Sequence, residues 1–142
     1  MNYVLDTSVL VAGIRSPNGA SAEILRKALV KDIAVLCSVP LFLEYEEVLL
    51  RTEHLTAARA SERDLLNFLD VLAGVICEVE IQFLWRPCLR DANDDMVLEI
   101  AVNGLRLGDQ VTIITFNQRD FLPHASRFGV EIISPSLFFK GA

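Results

Sequence analysis

Apolar runs alternate along this chain with segments whose apolar residues recur at helical spacing. NYVLD, at 2–6, is a short apolar run ending on an aspartate and predicts a buried strand, and 7–14 reads as the start of a helix. The Pro, Asn and Gly of Ser16–Gly19 predict a loop, followed by a helix capped by Ser21 and running to about Lys31. Its apolar face is Ile24, Leu25, Ala28 and Leu29. IAVLCS (33–38) predicts a second strand. Pro40 then opens a helix carrying Leu43, Val48 and Leu49, with Glu44, Glu46 and Glu47 in its first turns.

Ser61, with Asp64 three residues on, begins a helix running towards Gly74, Asp64 standing where a capping box places its acid. VICEVEI (75–81) alternates and predicts a third strand. WRPCLRDAN (85–93) is a loop, and helix resumes at Asp94. VTIITF (111–116) and VEIIS (130–134) predict the fourth and fifth strands, with NQRDFL (117–122) a turn or short helix between them. Strands and helices alternate, and the strands are apolar runs suited to burial on both faces. That pattern defines an α/β fold with a central parallel sheet of about five strands and helices on both faces.

The 142 residues fit one domain spanning 1–142, and 52% hydrophobic content is enough to build a core. No stretch approaches the roughly 18 consecutive apolar residues of a membrane span, and MNYVLDTSVL lacks the features of a signal peptide. A cytoplasmic protein is expected. Cys37, Cys77 and Cys88 form no metal-spaced pair, which argues against zinc. Cys37 and Cys77 are expected to be small buried hydrophobes. His54 and His124 are isolated, so a Ser–His–Asp arrangement is not supported.

Thirteen basic against nineteen acidic residues give a net charge of −6, which taken alone argues against nucleic acid. The positions of the acids change that picture. Ligands in parallel α/β sheets gather beyond the carboxyl ends of the strands. Asp6 ends the first strand, and Glu44 lies six residues past Ser38. Asp94 and Asp95 open the helix after the third strand, and Asn117 and Asp120 follow the fourth. Helix capping alone accounts for one acid, worth about 0.3–1 kcal/mol; two adjacent acids with Asp91 upstream exceed it. Crowded carboxylates repel unless neutralised, and a divalent cation with hard oxygen ligands is the simplest neutraliser. Magnesium or manganese at such a site activates water for phosphodiester cleavage. Arg15, Arg86, Arg90 and Arg119, expected in loops near this edge, can either bind phosphates despite the acidic whole or form a scattered solvated rim.

Four segments also resemble one family. VLDTSVLVAG, SVPLFLEYEEVL, RDANDDMVLEIA and VTIITFNQRDF are similar to the motifs of PIN-domain nucleases, in particular the VapC-like ribonuclease toxins of toxin–antitoxin pairs. The resemblance implies a three-layer sandwich and a Mg²⁺- or Mn²⁺-dependent endoribonuclease that cleaves single-stranded RNA with metal-activated water. It further implies a homodimer and a cognate antitoxin. Asp6, Glu44 and a third-motif aspartate would hold the metal. Ala101 stands seven residues after Asp94, which favours Asp94 over Asp95 as that ligand. Asn117 stands where many members carry an acid, and Asp120 is a candidate to supply it. Thr7, Ser8 and Thr115 are small hydroxyls beside the acids that either orient carboxylates and waters or stabilise turns. Asn117 also keeps alive a second reading, a catalytically weak PIN scaffold acting by protein or RNA binding. Phosphatases that open on Asp-x-Asp are not matched, because Ser8 takes the second position.

Overall fold

The structure is a computed structural model and describes residues 2–81, 92–106 and 110–140. Its strands are β1 (Asn2–Leu5), β2 (Ala34–Cys37), β3 (Cys77–Glu78), β4 (Val111–Ile114) and β5 (Glu131–Ile133). They pair in the order β3-β2-β1-β4-β5, every neighbour parallel. The helices are α1 (Thr7–Arg15), α2 (Ala20–Leu29), α3 (Val39–Leu49), α4 (Thr52–Ala58), α5 (Glu62–Val75), α6 (Ala92–Arg106), α7 (Gln118–Phe128) and α8 (Pro135–Lys140). No helix among the described residues is long and apolar enough to cross a membrane.

The strand order carries the functional geometry. From β1 the chain moves outward to β2 and β3, then crosses back to lay β4 and β5 on the other side of β1. β1 and β4 pair over Leu5↔Ile114, and the chain leaves them for opposite directions. That is a topological switch point, where a crevice opens past the strand ends. The crossover helix α6 packs on β1, β2 and β4. Val97, Leu98, Ile100 and Ala101 are consequently sealed from solvent. Contact is tight at Gly104, where a Cβ would stand 2.9 Å from Leu36 Cδ1 and 3.0 Å from Val111 Cγ2. Hydrogen has to occupy that position for helix and sheet to approach so nearly.

Several element ends follow from their residues. Ser38 Oγ accepts from the Leu41 N–H at 3.3 Å, and Pro40 in the first turn forfeits no helical hydrogen bond. Ser61 and Asp64 form the expected capping box, at 3.1 and 3.0 Å. Gly129, at φ 76°, ends α7 in the left-handed region.

Other expectations are corrected. Ser21 does not cap α2. Gly19 takes that place, and Ser21 lies inside the first turn with its hydroxyl buried and unbonded. The third strand shrinks from 75–81 to two residues because β3 is an edge strand, paired only with Leu36 and Cys37. Cys77 is therefore exposed rather than buried. The segment 117–122 is the start of an eleven-residue helix. α4 and α8 had no counterpart in the pattern: α4 buries none of its residues, so it shows no apolar stripe.

Candidate active site

Asp6 occupies the N-cap position of α1, yet its side chain makes no capping bond. Its Oδ2 instead accepts hydrogen bonds from Ser8 Oγ at 2.9 Å and Thr115 Oγ1 at 2.7 Å. Thr115 lies one residue past β4 and is fully buried. Its oxygen also accepts from the Asn117 N–H at 2.9 Å, so its own proton is directed to Asp6. The Asp6 N–H donates to the Ile114 carbonyl at 3.0 Å, and that of Thr115 to Ile133 at 3.0 Å. The ends of β1, β4 and β5 are thus laced together directly around the Asp6 carboxylate.

Glu44 arrives from α3 and is half-buried. Its carboxylate accepts from the Thr7 hydroxyl, which makes α1 and α3 neighbours at this edge. The next residue, Tyr45, is fully buried and donates its phenol proton to the Leu5 carbonyl. Burial, followed by the charges at Cys37, Asp6 and Glu44, pushes the Tyr45 phenol well above its ordinary range, so it remains a donor. Cys37 ends β2 beside it, and burial pushes its thiol up to about 12.

Asp94 and Asp95 lie in the first turn of α6, 6% and 1% exposed. Helical spacing separates their roles. Asp94 shares a stripe with Val97, Ala101 and Gly104, and Gly104 packs tightly against Leu36 and Val111. Asp94 therefore caps the stripe that lies on the sheet. Asp95 is turned about 100° away. It lines up with Glu99 and Asn103, also buried, the Asn103 amide donating to the Glu99 carbonyl at 2.7 Å. Glu99 and Asn103 are absent from the sequence-derived set. Their signal was available: two polar residues at four-residue steps from Asp95, inside an otherwise apolar helix.

Asn117 and Asp120 are exposed at the start of α7, and the Asn117 side chain makes no capping bond there. Glu47 is turned to solvent and holds Arg51 at 2.9 and 3.0 Å. Arg119 is exposed in the first turn of α7, on the rim beside Asn117. Arg15, like Arg119, lies in a helix rather than the expected loop. It closes α1, about 12 Å of helix rise from Thr7, and its guanidinium lies 3.5 Å from His54 Nδ1. Asp91, Arg86, Arg90 and Cys88 fall outside the described residues. Among the described residues no three His, Cys, Asp or Glu side chains converge closely enough to hold a metal ion as they stand. Asp6, Glu44 and Asp94 come to one edge from three elements without forming a closed cage.

The sequence matches the PIN domain over residues 2–119, and the chain belongs to the PIN-domain family. Two solved structures share its fold. One is VapBC2 from Rickettsia felis bound to a DNA fragment from their promoter. It has a TM-score of 0.61 at 13% identity, over 94% of this chain and 98% of that one. The other is FitAB bound to an IR36 DNA fragment, with a TM-score of 0.56 at 17% identity over 94% of each chain. No curated protein matches by sequence.

Proposed function

We propose that this protein is a metal-dependent endoribonuclease of the PIN family that cleaves single-stranded RNA as the toxin of a toxin–antitoxin pair. The observation that carries the reading is the setting of Asp6. A carboxylate at the switch point of a parallel sheet accepts two hydroxyl protons on one oxygen, with Glu44 anchored to the adjacent Thr7. A carboxylate serving only as a turn former needs neither the Thr115 donor nor a backbone amide fixing that donor's direction. Family membership and the likeness to chains of VapBC2 and FitAB support the toxin reading.

The donor set fits a hard divalent cation. Asp6, Glu44, Asp94 and Asp95 offer carboxylate oxygens, the ligand type of Mg²⁺ and Mn²⁺. Bound there, such an ion would neutralise the crowded acids and lower the pKa of its water, so that a hydroxide nucleophile would form near neutral pH. The chain's own contribution is orientation. Ser8 and Thr115 hold Asp6, Thr7 holds Glu44, and α6 carries Asp94 on its sheet-facing stripe, with Asp95 beside it. Asn117 presents an amide that orients water or an RNA oxygen without adding charge, and Asp120 supplies an acid on the same rim. Arg119 meets a phosphate of the RNA. The protein acts as a homodimer in the cytoplasm, with a cognate antitoxin as partner.

The test is incubation of purified protein with single-stranded RNA, with and without Mg²⁺ or Mn²⁺, beside Asp6→Asn. Metal-dependent cleavage that disappears in the variant is expected. A variant as active as the parent refutes the assignment of Asp6. Metal-independent RNA binding without cleavage by the parent favours the scaffold reading. In cells, expression is expected to slow growth and Asp94→Asn to relieve it; normal growth with soluble parent protein would remove the toxin role.

A further inference from the structure

We infer that Tyr45 is a positioning residue that sets the spacing between Asp6 and Glu44, an assignment that rests on the metal-site reading above. Two hydrogen bonds straddle Asp6. On one side the Tyr45 phenol donates to the carbonyl of Leu5, across 40 residues of sequence; on the other the Thr7 hydroxyl donates to the Glu44 carboxylate, across 37. Both therefore join the adjacent pair Glu44 and Tyr45 to the residues flanking Asp6, one in each direction.

The two bonds do different things. Thr7 orients only the end of the Glu44 side chain. Tyr45 fixes the helix itself, because its phenol grips the main chain at the end of β1. Successive side chains of a helix point about 100° apart. A tyrosine locked onto β1 thus dictates the direction in which Glu44 leaves α3, and rotation or sliding of α3 would have to break that bond. The ring is further held edge-on to Phe42, with centroids 6.2 Å apart.

Phenylalanine would fill the same core volume. A buried hydroxyl is unfavourable unless it is bonded, so packing alone gives no reason for tyrosine here. The hydroxyl supplies something packing cannot: a directional tie from the helix bearing one carboxylate to the strand bearing the other. Groups that orient metal ligands from behind typically change metal affinity by about 10–100-fold when removed. Tyr45 acts one bond further back, through main chain, which places it at the lower end.

The experiment measures Mn²⁺ binding by calorimetry and folding by circular dichroism, for the parent, Tyr45→Phe, Thr7→Val and the remote core variant Leu72→Ala. Tyr45→Phe is expected to keep its far-ultraviolet spectrum and to bind Mn²⁺ roughly tenfold more weakly. The Mg²⁺ concentration for half-maximal RNA cleavage should rise by the same factor, with the rate at saturating Mg²⁺ retained. Leu72→Ala should melt earlier yet bind Mn²⁺ like the parent. Parental affinity in Tyr45→Phe overturns the assignment, as does an equal loss in Leu72→Ala, which would reduce the effect to stability. If Tyr45→Phe does not fold, Thr7→Val decides, and parental Mn²⁺ affinity there overturns the two-bond clamp. Equal Mn²⁺ binding by the parent and Asp6→Asn is the separate result that rejects the metal reading of the site.

Discussion

Thr115 shows how much of this site is built by one hydroxyl. It donates to the buried Asp6 carboxylate and accepts from the Asn117 amide, so a valine there removes both bonds while keeping the shape. A hydrogen bond to a charged group contributes about 1.5–3 kcal/mol, and Thr115→Val is expected to lower unfolding free energy by about that amount. RNA cleavage should fall with it, whereas Thr115→Ser should retain both; urea denaturation and cleavage rates check the pair. Cys37 gives a second expectation. Its thiol is buried and pushed up to about 12, so at pH 8 it stays protonated. Iodoacetamide should modify the exposed Cys77 of the native protein and reach Cys37 only after unfolding, as read by peptide mass spectrometry. The chemistry of Asp6, Thr7 and Ser8 was readable from residue type and order. That Glu44 and Thr115 join them was also expected, but not which hydroxyl bonds which carboxylate, Thr115 to Asp6 at 109 residues' separation and Thr7 to Glu44 at 37, since only folding sets those contacts.

Helix ends follow local rules, and they read well where a side chain does the capping. The Ser61–Asp64 box was visible from spacing and closes as expected. The Ser61 amide, then the Ser61 hydroxyl, lowers the Asp64 carboxyl below its ordinary 3.8. A depressed native value means the stabilisation is present above pH 3.8 and is lost as pH falls through the lower native value. Asp64→Asn should therefore differ most from the parent near neutrality and converge with it in acid, in melts followed across pH. Ser61→Ala should cost about 0.5–2 kcal/mol. α6 gives a different case. Gly104→Val sets branched carbons against Leu36 and Val111 and is expected to destabilise by about 1–3 kcal/mol. Gly104→Ala should cost less, because its gain of about 1 kcal/mol in helix propensity offsets the clash. Denaturation midpoints decide both. α4 escaped the pattern because it buries no face, and β3 is shorter than the pattern suggested because it is an edge where only two residues pair.

Across the whole molecule, folding places buried carboxylates from different elements along one edge of the sheet. Any cation that binds this arrangement and not the unfolded chain must stabilise the fold by mass action. At a hundred times its dissociation constant, Mg²⁺ or Mn²⁺ should add about 2.7 kcal/mol, raising the melting temperature by a few degrees. Chelator should reverse the rise, and Asp94→Asn should abolish it. A melting temperature indifferent to both ions would count against the site.

Alternating apolar strands and amphipathic helices made a parallel α/β sheet with an acidic carboxyl edge inevitable reading, because periodicity and residue type are properties of neighbours in the chain. The order β3-β2-β1-β4-β5 was settled only in three dimensions, by the crossover of α6 onto β1, β2 and β4. That crossover lays the Asp94 stripe on the sheet, while Asp95 lines up with Glu99 and Asn103 as helical spacing alone dictates. It also brings β4 alongside β1, so that Thr115 reaches Asp6. A hydrogen bond needs its atoms within about 3 Å, and separation along the chain says nothing about that distance until the core has packed.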